Sequence, residues 1–247
     1  MSTLVRDTTV VFSRELRPVL RSPFSLIFTM VQPVFFLALF APLLPDDVGS
    51  LQWFVPGLVV MSCLFGTSVT GSNLQLEMQT GSHERMLVSP LSRPSLLIGR
   101  ALKEIVPMLA QTVVLILVTV PFGFELHVAG VAIGLVILTV LCVGLGALSY
   151  ALALASRGQE WIFWSVQQTL LFPLLLIAGI LLPIDNGPGW LKVLSHVNPL
   201  TYVVDAERVL FNGEVLSRTV AEGALAAALV GVAGLWVGVR SISRDAD

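Results

Sequence analysis

The sequence predicts an all-α polytopic membrane protein, organised as a single domain over residues 1–247. It has six transmembrane helices, an N-terminal amphipathic interface helix, a cytoplasmic helical loop after the second span, and short re-entrant helices before the last. Three observations predict it. Six long apolar stretches fill the chain, and none carries a charge at its centre. Charged residues make up 12% of the 247 residues, against about 25% in a soluble domain. Mean hydropathy is +0.87.

The elements follow in order. In residues 3–21, Leu4, Thr8, Val11/Phe12, Leu16 and Val19/Leu20 recur at helical spacing. Arg6, Asp7, Arg14, Arg17 and Arg21 fall between them. This pattern predicts a helix lying on the cytoplasmic membrane surface, bent near Pro18. A disordered tail with scattered apolar residues is the other reading.

A span needs ~20 apolar residues, and backbone in lipid must satisfy its own hydrogen bonds, so each apolar run reads as a helix. The predicted spans are Phe24–Leu44, Trp53–Leu74, Ile105–Phe122, Val128–Leu154, Trp161–Leu182 and Ala221–Val239. The first is too long for a signal peptide and lacks an Ala-x-Ala ending, so a retained span is expected. Pro33, Pro56, Pro107 and Pro173 lie in or near these runs, where each removes an N–H and can kink a helix.

Lys and Arg set the orientation. Eleven of the fourteen fall in the N-terminal segment, the loops after spans two and four, and the tail. The other three, Lys192, Arg208 and Arg218, lie in the long loop before span six. The bias predicts both termini on the cytoplasmic side. Trp53, Trp161 and Trp190 sit at span ends, as in aromatic belts. Cys63 and Cys142 fall in apolar runs and read as buried free thiols. Small residues recur at spacing four in Gly130/Gly134, Ala147/Ala151/Ala155 and Gly223/Ala227/Gly231, which favours close helix approach.

Two segments between spans carry the remaining information. Glu77–Arg93 combines charges with the apolar Met86-Leu87-Val88 and ends at Pro90. A short amphipathic helix here would place Glu84 and Arg85 on the cytoplasmic face and leave Met86 and Leu87 free to enter a partner's cleft. A solvated loop held on that side by its arginines is the alternative. Residues 183–212 are too apolar for a free loop and too broken by Pro183, Pro188, Gly189 and Pro199 for a span. Half-helices dipping into the outer leaflet fit them, with Asp205, Glu207 and Arg208 forming surface pairs. His196 reads as a structural or interfacial residue.

Several functions are disfavoured. The net charge of −2 offers no basic surface for nucleic acid. An intramembrane enzyme needs convergent nucleophiles, carboxylate pairs or metal ligands. The three histidines, His83, His127 and His196, are far apart in sequence and outside the spans, so no catalytic or metal site is expected. An ion-coupled carrier needs mid-membrane ionisable residues, and its inverted repeats often leave an echo; the sequence shows neither. A passive membrane scaffold remains open.

Together the two segments resemble the permease subunits of ABC-2 type transporters. The first carries Glu77, Gly81, Glu84, Arg85, Met86, Leu87, Ser89, Pro90, Ser92 and Arg93. The second carries Pro183, Trp190, Asn198, Pro199, Thr201, Tyr202, Asp205 and Arg208. Size and short outer loops look most like bacterial drug- or antibiotic-resistance permeases of the daunorubicin-resistance type. The resemblance implies an exporter of amphiphilic or hydrophobic small molecules in the bacterial plasma membrane. It implies a second permease copy, identical or homologous, and two copies of a separate ATPase that binds ATP and Mg. The chain has no Gly-x-x-x-x-Gly-Lys-Ser/Thr loop of its own, since its two lysines, Lys103 and Lys192, each follow a leucine. By the same resemblance Glu77, Gly81, Glu84, Arg85, Met86, Leu87 and Pro90 would couple to the ATPase. A path between permease copies would be lined by Phe28, Gln32, Phe35, Phe36, Phe65, Thr67, Gln167, Gln168 and Phe172.

Overall fold

The computed structural model describes residues 3–21, 23–43, 51–184 and 187–244, the side chains of residue 3 and of 23–29 excepted. Helices α1 (Thr3–Arg21) and α2 (Pro23–Phe40) come first, and α2 ends in a 3-10 turn, Ala41–Leu43. Then come α3 (Leu51–Gln79), α4 (Ser82–Leu87), α5 (Arg93–Lys103) and α6 (Ile105–Thr119), the last closed by the 3-10 turn Val120–Phe122. The order finishes with α7 (Val128–Ala155), α8 (Glu160–Ile177), α9 (Gly189–Val197), α10 (Pro199–Phe211) and α11 (Arg218–Arg244). Among the described residues there is no strand.

Five of these segments are long and apolar enough to cross a membrane: Leu51–Gln79, Arg93–Phe122, Val128–Ala155, Glu160–Ile177 and Arg218–Arg244. Six were expected. The first expected span is met by α2, whose 18 residues rise about 27 Å, just under the ~30 Å of bilayer hydrocarbon. Its described apolar part, Met30–Leu43, is shorter still. The fifth expected span ends early. Gly179 adopts φ 69°, a left-handed conformation that stops α8. The third gains α5, which the charges Arg93, Arg100 and Lys103 had marked as loop.

Helix α3 is the enclosed centre: Phe54 to Leu64 are buried without a break. Gln52 fastens one end of it. Its amide donates to the carbonyls of Glu125 (2.8 Å) and Phe211 (3.1 Å) and accepts from the Glu125 N–H (3.1 Å). Gln75 fastens the other, donating to Ala153 O (3.0 Å) and Ser156 Oγ (2.9 Å) at the end of α7. The starts of α3 and α7 and the end of α10 therefore share one end of the bundle. The end of α3, α4 and the start of α8 share the other. Cys63 on α3 and Cys142 on α7 are each 1% exposed.

Helices α7, α10 and α11 pack backbone to backbone, as the rows of small residues predict. A Cβ on Gly130 would overlap the Leu210 carbonyl, and one on Gly223 would reach Tyr202 O at 2.6 Å. Ala155, the last of the alanine row, is exposed and takes no part.

Helix α1 is amphipathic as expected, but one face packs on protein. Val11 is buried against Gly99 of α5. Asp7 Oδ2 accepts from the Ser92 N–H (3.1 Å), which ties α1 to the start of α5. Leu4, Val5, Val10 and Leu20 remain exposed.

Candidate functional site

At the α4 end, α3 passes into α4 through Thr80 and Gly81. Gly81 has φ 68°, a left-handed geometry that glycine adopts without a Cβ penalty. It reverses the chain so that α4 folds back beneath the bundle. His83 and Met86 are thereby turned inward: His83 is fully buried beside the Tyr150 ring, and Met86 is 6% exposed. Leu87 is half-buried against the same cluster. This corrects the expectation that Met86 is free to enter a partner, whereas Leu87 keeps part of its side chain open. The exposed surface of the knuckle is Arg85, Val88 and Pro90, with Val88 86% exposed.

Two ion pairs hold the knuckle. Glu84 accepts from Arg157 Nη2 at 2.6 Å, joining it to the loop between α7 and α8. Glu84's side chain stays 43% exposed while it bridges α4 to that loop. Beneath it Arg100 pairs with Glu77 of α3 and lies 3.6 Å from Glu15 of α1. It also donates to the Tyr150 hydroxyl at 3.2 Å. Glu77 is therefore an internal strut, not part of the knuckle's surface. Gly81 joins α4 directly to α3, Glu84 links α4 to the loop after α7, and Arg100 of α5 links α3 to α1 and α7.

At the opposite end the 183–212 segment forms α9 and α10, of 9 and 13 residues, each too short to cross a bilayer. Pro199 opens α10, where a missing N–H costs nothing. Asn198 caps it by accepting from the Leu200 N–H (3.1 Å), and donates to Leu174 O of α8 (2.8 Å). Arg208 clasps three elements. It donates to Trp53 O (3.2 Å) and Gly179 O (2.7 Å), pairs with Asp205 (3.4 Å), and its guanidinium stands 3.8 Å from the Trp53 ring centre. Lysine cannot reproduce this planar fork. Arg208→Lys is expected to lower stability by about 1–3 kcal/mol, read from thermal unfolding in detergent.

Glu207 was expected in a surface pair. It is fully enclosed, and neither carboxyl oxygen has a hydrogen-bond partner among the described residues. Gly134 of α7 makes the room, since a Cβ there would overlap the carboxylate. Burial pushes this carboxyl up from 4.5 to about 8. Between those values the folded chain holds a proton that the unfolded chain has released, so stability falls as pH rises through that window. The melting temperature of the wild type is expected to decline between about pH 5 and pH 8, and that of Glu207→Gln to stay flatter.

The expected path residues divide. Gln32 and Phe65 line one cavity of about 300 Å³ between α1, α2, α3 and α6. Phe65 meets Phe172 of α8 edge to face at 6.4 Å. Phe35, Gln168 and Phe172 are exposed along α2 and α8, and Phe36 stacks on Phe40 at 5.6 Å. Thr67 is buried and its hydroxyl donates to Leu64 O of its own helix (2.9 Å). Gln167 is also buried, with Oε1 lacking a hydrogen-bond partner among the described residues. The side chain of Phe28 lies outside the described residues. Sequence reasoning missed Arg100, Lys103 and Glu104, counting the two bases only for orientation. Their spacing beside Leu96, Leu97 and Ala101 on a helical face was the available signal.

The sequence profile of the ABC-2 type transporter matches residues 6–212, from α1 to the end of α10. The chain belongs to the ABC-2 type transporter family. Both segments that carry its motifs fall inside the matched range. Among ABC-2 relatives, the putative transport permease ycf38 of Cyanophora paradoxa is 29% identical over 218 residues, 84% of this chain and 75% of that protein. The daunorubicin resistance ABC transporter permease protein DrrB1 of Streptomyces coeruleorubidus is 24% identical over 198 residues, 77% of this chain and 70% of that one. The probable multidrug ABC transporter permease YbhR of Escherichia coli (strain K12) is 26% identical over 164 residues, 65% of this chain but 44% of its own length. Family and apolar helices together make this ABC-2 chain a multi-pass membrane protein.

Proposed function

We propose that the chain is the membrane-spanning permease subunit of an ATP-driven exporter. It moves an amphiphilic or hydrophobic small molecule (a drug, an antibiotic or a lipid-like compound) out of a bacterial cell. It sits in the plasma membrane with both termini cytoplasmic, and α2 serves as a sixth span. A second permease copy and two ATPase subunits complete the transporter, and ATP and Mg bind on the ATPase. The drug-resistance names of two relatives support the cargo class. The observation that carries the reading is the α3–α4 knuckle. It offers a small exposed surface of Arg85, Val88 and Pro90, with the largely buried Glu77–Arg100 pair behind it and the exposed Glu84–Arg157 pair beside it.

In this reading the ATPase binds the knuckle differently in its open and closed states. That difference shifts the permease between conformations, as any ligand with unequal affinity for two states must. Displacement of the knuckle would pass along the chain to α3, at the centre of the bundle, and through the contacts of Arg100 to α1. Cargo would move along the faces of α2, α3 and α8 that carry Gln32, Phe35, Phe65, Gln168 and Phe172. Purification from the native host in mild detergent, with nucleotide present, tests the assembly. A stoichiometric ATPase subunit is the expected result. Recovery of the chain alone across several detergents would sink the exporter reading in favour of a carrier or a scaffold.

A further inference from the structure

The 300 Å³ cavity changes character along its length. Its α3 wall runs from Asn73, near α4, to Met61 at mid-bundle, about 18 Å of helix rise. At the α4 end stand Asn73, Lys103 and Glu104; farther in, the wall is mostly apolar, with Val69, Phe65, Met61 and Pro107, and also carries the polar Ser62 and Gln111. Lys103 and Glu104 are each 4% exposed and lie 3.3 Å apart. Glu104 also accepts from Thr70 (3.1 Å), through the same Oε1 that faces the lysine. Val19 of α1 also lines the cavity. Since α1 shows an outward apolar edge at Val10 and Leu20, the charged end lies at the depth of an interface helix, where lipid heads meet tails.

A buried ion pair is a weak source of stability, and an apolar pair of similar volume often serves as well. Here it stands beside a mostly apolar slot, one charge of each sign lining the same space. We propose that this cavity binds a zwitterionic amphiphile. Its phosphate meets Lys103, its ammonium meets Glu104, and its tail runs along α3 past Phe65. Gln32, farther along the slot, supplies an amide for an ester carbonyl below the head. The proposal rests on the membrane setting of the exporter reading and shares Gln32 and Phe65 with its cargo path, but it does not require ATP-driven movement.

The test is native mass spectrometry of the full chain, with whatever subunits accompany it. The probes are phosphatidylethanolamine and phosphatidylglycerol of equal acyl chains, and glycerophosphoethanolamine, which has the head without tails. Wild type is expected to retain phosphatidylethanolamine over phosphatidylglycerol and to release the tail-less head. Lys103→Met/Glu104→Gln, which removes both charges together, is expected to keep the fold and to lose the head preference, with about tenfold weaker phosphatidylethanolamine retention. Phe65→Ala should weaken both lipids and keep the preference. No preference in wild type, or an unchanged preference in the double variant, overturns the proposal. Reconstitution with fluorescent phosphatidylethanolamine separates the sources. ATP-dependent outward movement marks the lipid as cargo, retention without movement marks it as resident, and both keep the site. A missing ATPase with an intact head preference would defeat the exporter reading alone.

Discussion

Replacing Arg100 by alanine is expected to destabilise the folded chain by about 3–5 kcal/mol, the usual penalty for stripping one member from a buried charge group. Arg100 is 3% exposed and faces two carboxylates, Glu77 and Glu15, whose side chains are 20% and 11% exposed. Without it they are left as like charges in a poorly solvated space. The loss should be local before it is global, because Glu15 links α1 to Arg100 and losing that pair leaves α1 tied by fewer polar contacts, such as Asp7 to Ser92. Limited proteolysis of the variant should therefore cut near α1 under conditions in which wild type is intact. Arg100→Met combined with Glu15→Gln and Glu77→Gln is expected to recover most of the melting temperature, since the orphaned charges go as well. An Arg100→Ala protein that melts with wild type and resists cleavage at α1 would show that the network does not hold the helix.

The second large effect is expected at Val88, and there stability should not change. Val88→Asp places a charge at the tip of the knuckle, in the middle of the surface proposed to meet the ATPase. Loss of ATP-dependent export and at least ~10-fold weaker retention of the ATPase are expected, as for a charge set into an interface core. Arg85→Ala should act in the same direction. The variant's melting temperature should equal that of wild type, because Val88 is 86% exposed. Met86→Ala should do the reverse. It empties a buried site and should cost about 2–5 kcal/mol, with its effect on export following from lost fold. Normal export by Val88→Asp would remove the knuckle from the coupling path.

What the sequence made legible was governed by period and composition. Apolar runs locate α3, α6, α7, α8 and α11 within a few residues, because a helix in lipid has no other way to satisfy its backbone. The Asn198-Pro199 break announces the start of α10 because cap and proline chemistry are local. The orientation of α4 was not legible. Which of Met86, Leu87 and Val88 points outward depends on the left-handed turn at Gly81, and a six-residue helix has too few turns for periodicity to reveal its buried face. Helix α5 was hidden by its charges, which look solvated until Tyr150, Glu77 and Glu15 close around Arg100. Glu207 was misread for a related reason: between Asp205 and Arg208 it shares the spacing of a surface pair, and only the glycine at 134 on a distant helix shows that it points inward.

The two native thiols have a practical corollary. Cys63 and Cys142 face the joint between α3 and α7 and are shut off from water-soluble reagents. A maleimide probe offered to the folded protein should therefore find nothing to label. A cysteine introduced at position 88 would be the single reactive handle without any engineering of the native pair. Spin labels or dyes attached there would report the distance between the knuckles of two permeases through a nucleotide cycle.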